Sequence, residues 1–170
     1  ITDDVFVRDL QTGTTMLVSV NRFGTNSGNG ASGGFVALAI SADGRFVAFT
    51  SAANDLVAND TNITDDVFVR DLQTGVTTLA SVNHEGANSG NSDSREPVIS
   101  ANGRFVLFSS FATDLVQTDT NAATDVFLRD LQTGTTTLIS VNRFGTNSGN
   151  GFSGHGFPAI SADGRLVVFQ

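Results

Sequence analysis

The stretch "ISADGRFVAFTS" (Ile40–Ser51), followed by "DVFVRDLQTG" (Asp66–Gly75), decides the fold. Asp43-Gly44 lies between two apolar runs, and an Asp-Gly pair in that setting is a strong hairpin signal, because both residues tolerate positive φ. It predicts a turn joining strands Val36–Ser41 and Arg45–Ser51. Gln73-Thr74-Gly75 predicts a second hairpin, joining Val67–Leu72 to Thr77–Val82. β-Branched and aromatic residues crowd these runs, as pleated strands prefer. "RFVAF" is apolar on both faces, so its strand is expected to be covered on both sides.

The unit recurs. "DVFVRDLQTG" begins at Asp4 and Asp66 and returns as "DVFLRDLQTG" at Asp125, at spacings of 62 and 59 residues. "SADGRFVAF" at Ser41 returns as "SANGRFVLF" at Ser100 and "SADGRLVVF" at Ser161. "VNRFGTNSGNG" is identical at Val20–Gly30 and Val141–Gly151. Fixed periodicity of this kind marks a solenoid, propeller or array. No segment carries a capped 3.6-residue pattern, so the chain is all-β. Repeated four-stranded antiparallel sheets, buried on both faces, are the blades of a β-propeller.

The two motifs also resemble the TolB-like or PD40-type propeller blade, with its Ser-x-Asp-Gly-apolar-Phe and Asp-apolar-x-Asp-Leu-x-Thr-Gly signatures. The resemblance covers nearly the whole chain. It implies a propeller, a setting in the cell envelope or outside the cell, and a role in protein interaction. The sequence departs from the pattern in two respects. Its repeats are longer than the about 40–45 residues of comparable blades, and the Pro of "S-P-D-G" is replaced by Ala42, Ala101 and Ala162.

Composition narrows the partners. The 170 residues carry a net charge of −8, and every basic residue is Arg. So acidic a surface repels phosphate backbones, which argues against nucleic acid and favours cations or basic proteins. The absence of cysteine removes disulfides and thiolate chemistry. No apolar run reaches the ~20 residues of a membrane helix, so membrane insertion is not expected. His84 and His155 occupy non-equivalent positions and form no ligand cluster. No nucleophile elbow or phosphate loop is present.

The excess length falls in two connections. One joins the second strand to the third (Ser51–Asp65), and the other runs from blade to blade (Asn21–Gly34). Both should emerge on one face of the disc, where loops on a rigid scaffold bind partners. In the first connection Asp60, Asn62 and Asp66 stand at positions 1, 3 and 7, and Asp119, Asn121 and Asp125 repeat the spacing. Calcium takes six to eight oxygen ligands, and these residues supply three side chains each. Thr64 could add its carbonyl, and Asp55 and Asp114 lie just upstream. Asp, Asn and Thr also satisfy their own backbones in turns without an ion. Both readings stand at this stage. Packing Asp60, Asp65 and Asp66 within seven residues costs repulsion that a cation would relieve. Arg8, Arg70 and Arg129, and Arg45, Arg104 and Arg165, are expected to form ion pairs on the short-loop face.

The repeats divide the chain into a C-terminal half-blade (1–20), two blades (36–82 and 96–141) and an N-terminal half-blade (157–170), about three blade-equivalents. Propellers have four to eight blades. A homodimer in which two chains complete each other's split blade would give six; the alternative is a segment of a longer propeller. The functional expectation is a non-enzymatic extracellular or periplasmic module, with calcium-braced loops, that binds a protein or a glycan. The alternatives are an architectural repeat of a larger surface protein and a propeller-type lyase or hydrolase.

Overall fold

A computed structural model describes residues 3–34, 38–154, 156 and 158–170. Parts of the predicted spans lie outside the described residues: Ile1 and Thr2 in the first half-blade, Val36 and Ala37 in the first blade, and Phe157 in the last half-blade, as does His155. The strands are β1 (Phe6–Arg8), β2 (Thr15–Leu17), β3 (Ala39–Ile40), β4 (Phe46–Ser51), β5 (Asp66–Asp71), β6 (Val76–Leu79), β7 (Ser94–Ile99), β8 (Phe105–Ser110), β9 (Asp125–Asp130), β10 (Thr135–Leu138), β11 (Ala159–Ile160) and β12 (Val167–Val168). All pairing is antiparallel and sequential. β3-β4-β5-β6 and β7-β8-β9-β10 are four-stranded sheets, and β1-β2 and β11-β12 are two-stranded.

The turns follow from their residues, with one difference from the expected geometry. Only glycine takes positive φ in the Asp/Asn-Gly turns: Gly44 lies at +74° and Gly103 at +71°. Asp43 instead uses its carboxylate. Its Oδ1 accepts from the Ser41 hydroxyl and from the Arg45 N–H at 3.0 Å, and Gly44 N–H donates to the Ser41 carbonyl. The hairpin is thus a four-residue connection clamped by a side chain, not a two-residue turn. Asp71 does the same for the second hairpin, accepting from the Gln73 and Thr74 N–H groups.

β4 and β8 are buried on both faces, as expected. Phe49 stacks on Phe68 at 5.8 Å and Phe108 on Phe127 at 6.0 Å, each pair directly opposite across the second and third strands. One core, including Ala48, Val69, Val106 and Phe108, joins the two whole blades. A second, including Val5, Val18, Phe49 and Phe68, joins β1-β2 to the first blade. Gly103 sits so close to the Phe46 ring of the preceding blade that a Cβ would overlap it, and Gly164 is held likewise against Phe105. β7 starts at Ser94, two residues before the predicted blade (96–141) and ahead of Pro97. Its register shifts between Arg95 and Val98, with Glu96 at φ +57°, a bulge that accommodates a proline lacking a ladder donor.

Phe108→Ala removes one ring of a stacked pair from a fully buried position and should cost about 3–5 kcal/mol, read as a lower urea midpoint. A near-neutral result would mean the stacks are not the core of the blade.

Candidate functional site

Asp66 and Asp125 open the third strand of their blades and are wholly buried. Each is anchored from the fourth strand's exit. The Ser81 hydroxyl donates to Asp66 Oδ1 and accepts from Val67 N–H at 3.0 Å; Ser140 does the same for Asp125 and Val126. Ser19 and Asp4 repeat the arrangement in β1-β2, at 2.8 Å. These serines recur in "SVN" at Ser19, Ser81 and Ser140. The motif was readable, but its pairing with the aspartates required the strand register.

The loop residues divide between turn-making and something else. Asn62 Oδ1 accepts from Thr64 N–H at 2.8 Å, and Asp60 Oδ1 from Asn62 N–H at 3.3 Å. The Asn62 amide donates to the Gly90 carbonyl at 2.8 Å, and Asn121 to Gly149 at 2.8 Å, so each loop is tied to the next inter-blade connection. Yet among the described residues Asp66 Oδ2, Asp125 Oδ2, both carboxylate oxygens of Asp119 and the Thr64 hydroxyl are buried without a hydrogen-bond partner.

Electrostatics reflects this. Burial pushes the Asp66 carboxyl up to about 7; the charges of Asp60 and Asp93 add to the rise, and Ser81 and Asn62 offset part of it. Burial also raises Asp60, Asp119 and Asp125, and the Asp119 charge adds to the effect on Asp125. Among the described residues no three His, Cys, Asp or Glu side chains gather as a metal cluster. Asp55 and Asp114 serve the preceding inter-blade connections. Their Oδ1 atoms accept from Asn29 and Asn91 N–H, both at 2.9 Å. Asp65 pairs with Arg95, Nε to Oδ2 at 2.9 Å, and Arg95 also binds Asp93. Part of the expected carboxylate repulsion is therefore relieved by an arginine that does not recur in the repeat.

The two long connections meet, as expected. Arg22 N–H donates to the Asp55 carbonyl, His84 N–H to Asp114, and Ser89 N–H to Asn59. On the short-loop side Arg45 and Arg104 bind Asp71 and Asp130 through two bonds each, at 2.7–3.0 Å. Arg8, Arg70 and Arg129 differ from expectation: they bond to Thr15, Thr77 and Thr136 across the hairpin, not to the neighbouring aspartates.

The strand topology and the paired long loops are those of propeller blades. Among solved structures, TolB from Acinetobacter baumannii aligns with 98% of this chain and 31% of its own, at TM-score 0.56 and 19% identity. The putative TolB from Agrobacterium tumefaciens aligns with 98% of this chain and 50% of its own, at TM-score 0.52 and 16% identity. No protein-family model matches the sequence, and no curated protein matches it at a significant level. The fold is that of a TolB-type β-propeller, and the chain spans a third to a half of these TolB proteins.

With a chelator present, the native state keeps Asp66 protonated to about pH 7, whereas the unfolded chain releases that proton near pH ~4. The native state binds more protons between these values, so stability falls as pH rises through the interval. Asp71 and Asp130, held well below the usual range by Arg45 and Arg104, are ionised in both states there and add no slope. Chemical denaturation from pH 4.5 to 7.5 should show the decline, and Asp66→Asn should reduce it.

Proposed function

We propose that this protein is a non-enzymatic extracellular or periplasmic propeller module whose long loops are braced by calcium and present a surface to a protein or glycan. One observation carries the reading. Among the described residues, a buried carboxylate oxygen without a hydrogen-bond partner recurs at the equivalent place in both whole blades, Asp66 Oδ2 and Asp125 Oδ2, and both oxygens of Asp119 join it in the second. An unpaired buried carboxylate costs free energy that a cation offsets. The donor set consists of hard oxygens alone: Asp60, Asn62, Thr64 and Asp66 in the first copy, Asp119, Asn121 and Asp125 in the second. Backbone carbonyls and water would complete the six to eight ligands of calcium. Ala123 stands where Thr64 does, so the second site has one side-chain oxygen fewer. Two carboxylates per site, without a third, suit the weaker affinities of modules in calcium-rich surroundings outside the cytoplasm.

The surface reading rests on the inter-blade loops. Phe23 and Phe144 stand exposed in identical sequence, and each carries an arginine over its ring, Arg22 at 4.9 Å and Arg143 at 4.6 Å. Exposed aromatic faces of this kind stack on sugars or anchor a protein partner.

Thermal melts in EDTA, in millimolar calcium and in millimolar magnesium test the proposal. Calcium at a hundredfold its dissociation constant stabilises by about 2.7 kcal/mol, a rise of several degrees that magnesium should not match. Asp66→Asn should raise stability in EDTA at neutral pH, by removing an uncompensated buried charge, and should shrink the calcium shift. A clean cooperative melt that calcium leaves unmoved would return Asp60 and Asp119 to turn-making alone.

A further inference from the structure

Acidic residues outnumber basic ones by 17 to 9, yet two arginines of the whole blades have no acid. Arg70 and Arg129 each give Nη1 to a threonine hydroxyl across the hairpin, Thr77 at 2.9 Å and Thr136 at 3.0 Å. The aspartates next to them in sequence, Asp71 and Asp130, are held by Arg45 and Arg104. Among the described residues no carboxylate lies within ion-pair distance of Arg70 or Arg129. Burial pulls the Arg70 guanidinium below its ordinary value with nothing to oppose it, whereas Asp130 offsets part of the same fall at Arg129. Arg70 is thus a half-buried cation that uses one of its five N–H donors within the described residues.

Each of these arginines lines a groove beneath the long loops. The groove at Arg70 has a volume of about 430 Å³, within the about 300–1,000 Å³ of small-ligand sites, and Arg22, Phe23, Leu56, Val57 and Thr77 also bound it. The groove at Arg129 is bounded by the equivalents His84, Leu115, Val116 and Thr136. The two differ at the aromatic position, where Glu85 replaces Phe23. Phe23 is 67% exposed, and the Arg22 guanidinium lies over one face of its ring at 4.9 Å. The loop that presents them is fixed from three sides. Asn21 Oδ1 accepts from Thr25 N–H at 3.2 Å, Gly24 N–H donates to the Asn21 carbonyl at 2.9 Å, and Arg22 N–H donates to the Asp55 carbonyl at 2.8 Å. Exposure at this position belongs to the loop itself, because Glu85, in the same place between the two whole blades, is exposed as well. The first groove therefore combines an open aromatic face with two guanidinium groups, and among the described residues neither is paired with a carboxylate.

We propose that the groove between Phe23 and Arg70 binds an acidic glycan, one whose sugar rings carry a carboxylate or a sulfate ester. The inference rests on the reading that the long loops present a surface to a partner, and it names the glycan as that partner. The C–H face of a pyranose packs on the open face of Phe23. The guanidinium forks of Arg22 and Arg70 take the oxygens of the anion, a geometry that carboxylate and sulfate share. The Thr77 hydroxyl accepts from Arg70 and keeps its own proton to donate to a sugar hydroxyl. A net charge of −8 repels an anion from most of the surface and confines it to a place where cations stand without acids.

Trisaccharides of glucose, of glucuronic acid and of glucose 6-sulfate differ only at C6. They should be titrated calorimetrically in EDTA, so that no cation bridges ligand and loop. At least one acidic sugar should bind about tenfold or more tighter than glucose, and the stronger of the two identifies the anion. Phe23→Ala, at an exposed position, and Arg70→Gln should each weaken that binding by about fivefold or more. Arg129→Gln removes the same arginine–threonine bond from the groove that lacks the ring, and should leave binding unchanged. An arginine acting only through the fold would make the two glutamine variants behave alike. Equal binding of all three sugars, or binding that survives both Phe23→Ala and Arg70→Gln, would overturn the inference and leave the glycan reading standing. Tighter binding of a hexaglutamate peptide than of either acidic sugar would overturn it in favour of a protein partner. No binding of any of the three sugars up to about 10 mM would overturn the inference and the glycan reading together.

Discussion

Each sheet in this protein is apolar on both faces, and that constraint governs the rest. A strand such as "RFVAF" alternates Phe46 and Ala48 toward one neighbouring blade with Val47 and Phe49 toward the other. A blade alone would leave both of these faces in water, at about 25 cal/mol for each Å² of apolar surface. Blades therefore stack, and stacking dictates details that look independent. Gly103 must lack a Cβ because Phe46 occupies the space. The inter-blade loop must cross to the preceding blade, where Ser94 N–H donates to the Asp65 carbonyl and Ser32 N–H to that of Asp3. The crossing loop in turn covers the start of the third strand, and in doing so it buries Asp66.

Burial of that aspartate is where packing becomes chemistry. A carboxylate at the mouth of a hairpin would ordinarily be solvated and cost nothing. Here the Asn62 amide pins its loop to the Gly90 carbonyl, and the loop closes over Asp66 with Asp60 beside it. One oxygen accepts from Ser81, and the other has no hydrogen-bond partner among the described residues. The same outcome arises at Asp125 from different neighbours, since Thr124 replaces Asp65 and no arginine stands in the place of Arg95. A feature that survives such changes around it follows from the loop architecture, not from one local accident of packing.

The fold was legible because its signals are local. Turn glycines, the alternation of the strands and the recurrence of two motifs all act over fewer than about ten residues, where backbone preference decides. The site was legible in part. Asp60, Asn62 and Asp66 could be picked out by spacing, but the direction of each side chain could not. Asp55 and Asp114 accept from the preceding inter-blade connections, a pairing the sequence did not show, and Leu56 and Leu115 beside them are drawn into the cores. Ser81, Ser140 and Arg95 reach the site only through register and blade stacking, which join residues far apart in the chain. The early start of β7 was hidden by Pro97, which reads as a strand boundary until the bulge at Glu96 is seen.

The sequence posed turn-making and cation binding as rivals, but a carboxylate has two oxygens and an amide has both a donor and an acceptor. Asn62 uses its oxygen on Thr64 and its nitrogen on Gly90, and so fixes the loop; Asp66 uses one oxygen on Ser81, and so fixes its own rotamer. The turn bonds therefore hold the remaining oxygens in place without an ion. Preorganisation of this kind lowers the ordering cost of ligation, and its consequence without an ion is the raised proton affinity of Asp66. For the calcium proposed above, proton and cation would compete for the same oxygen, and the turn chemistry would prepare the site instead of standing as its alternative.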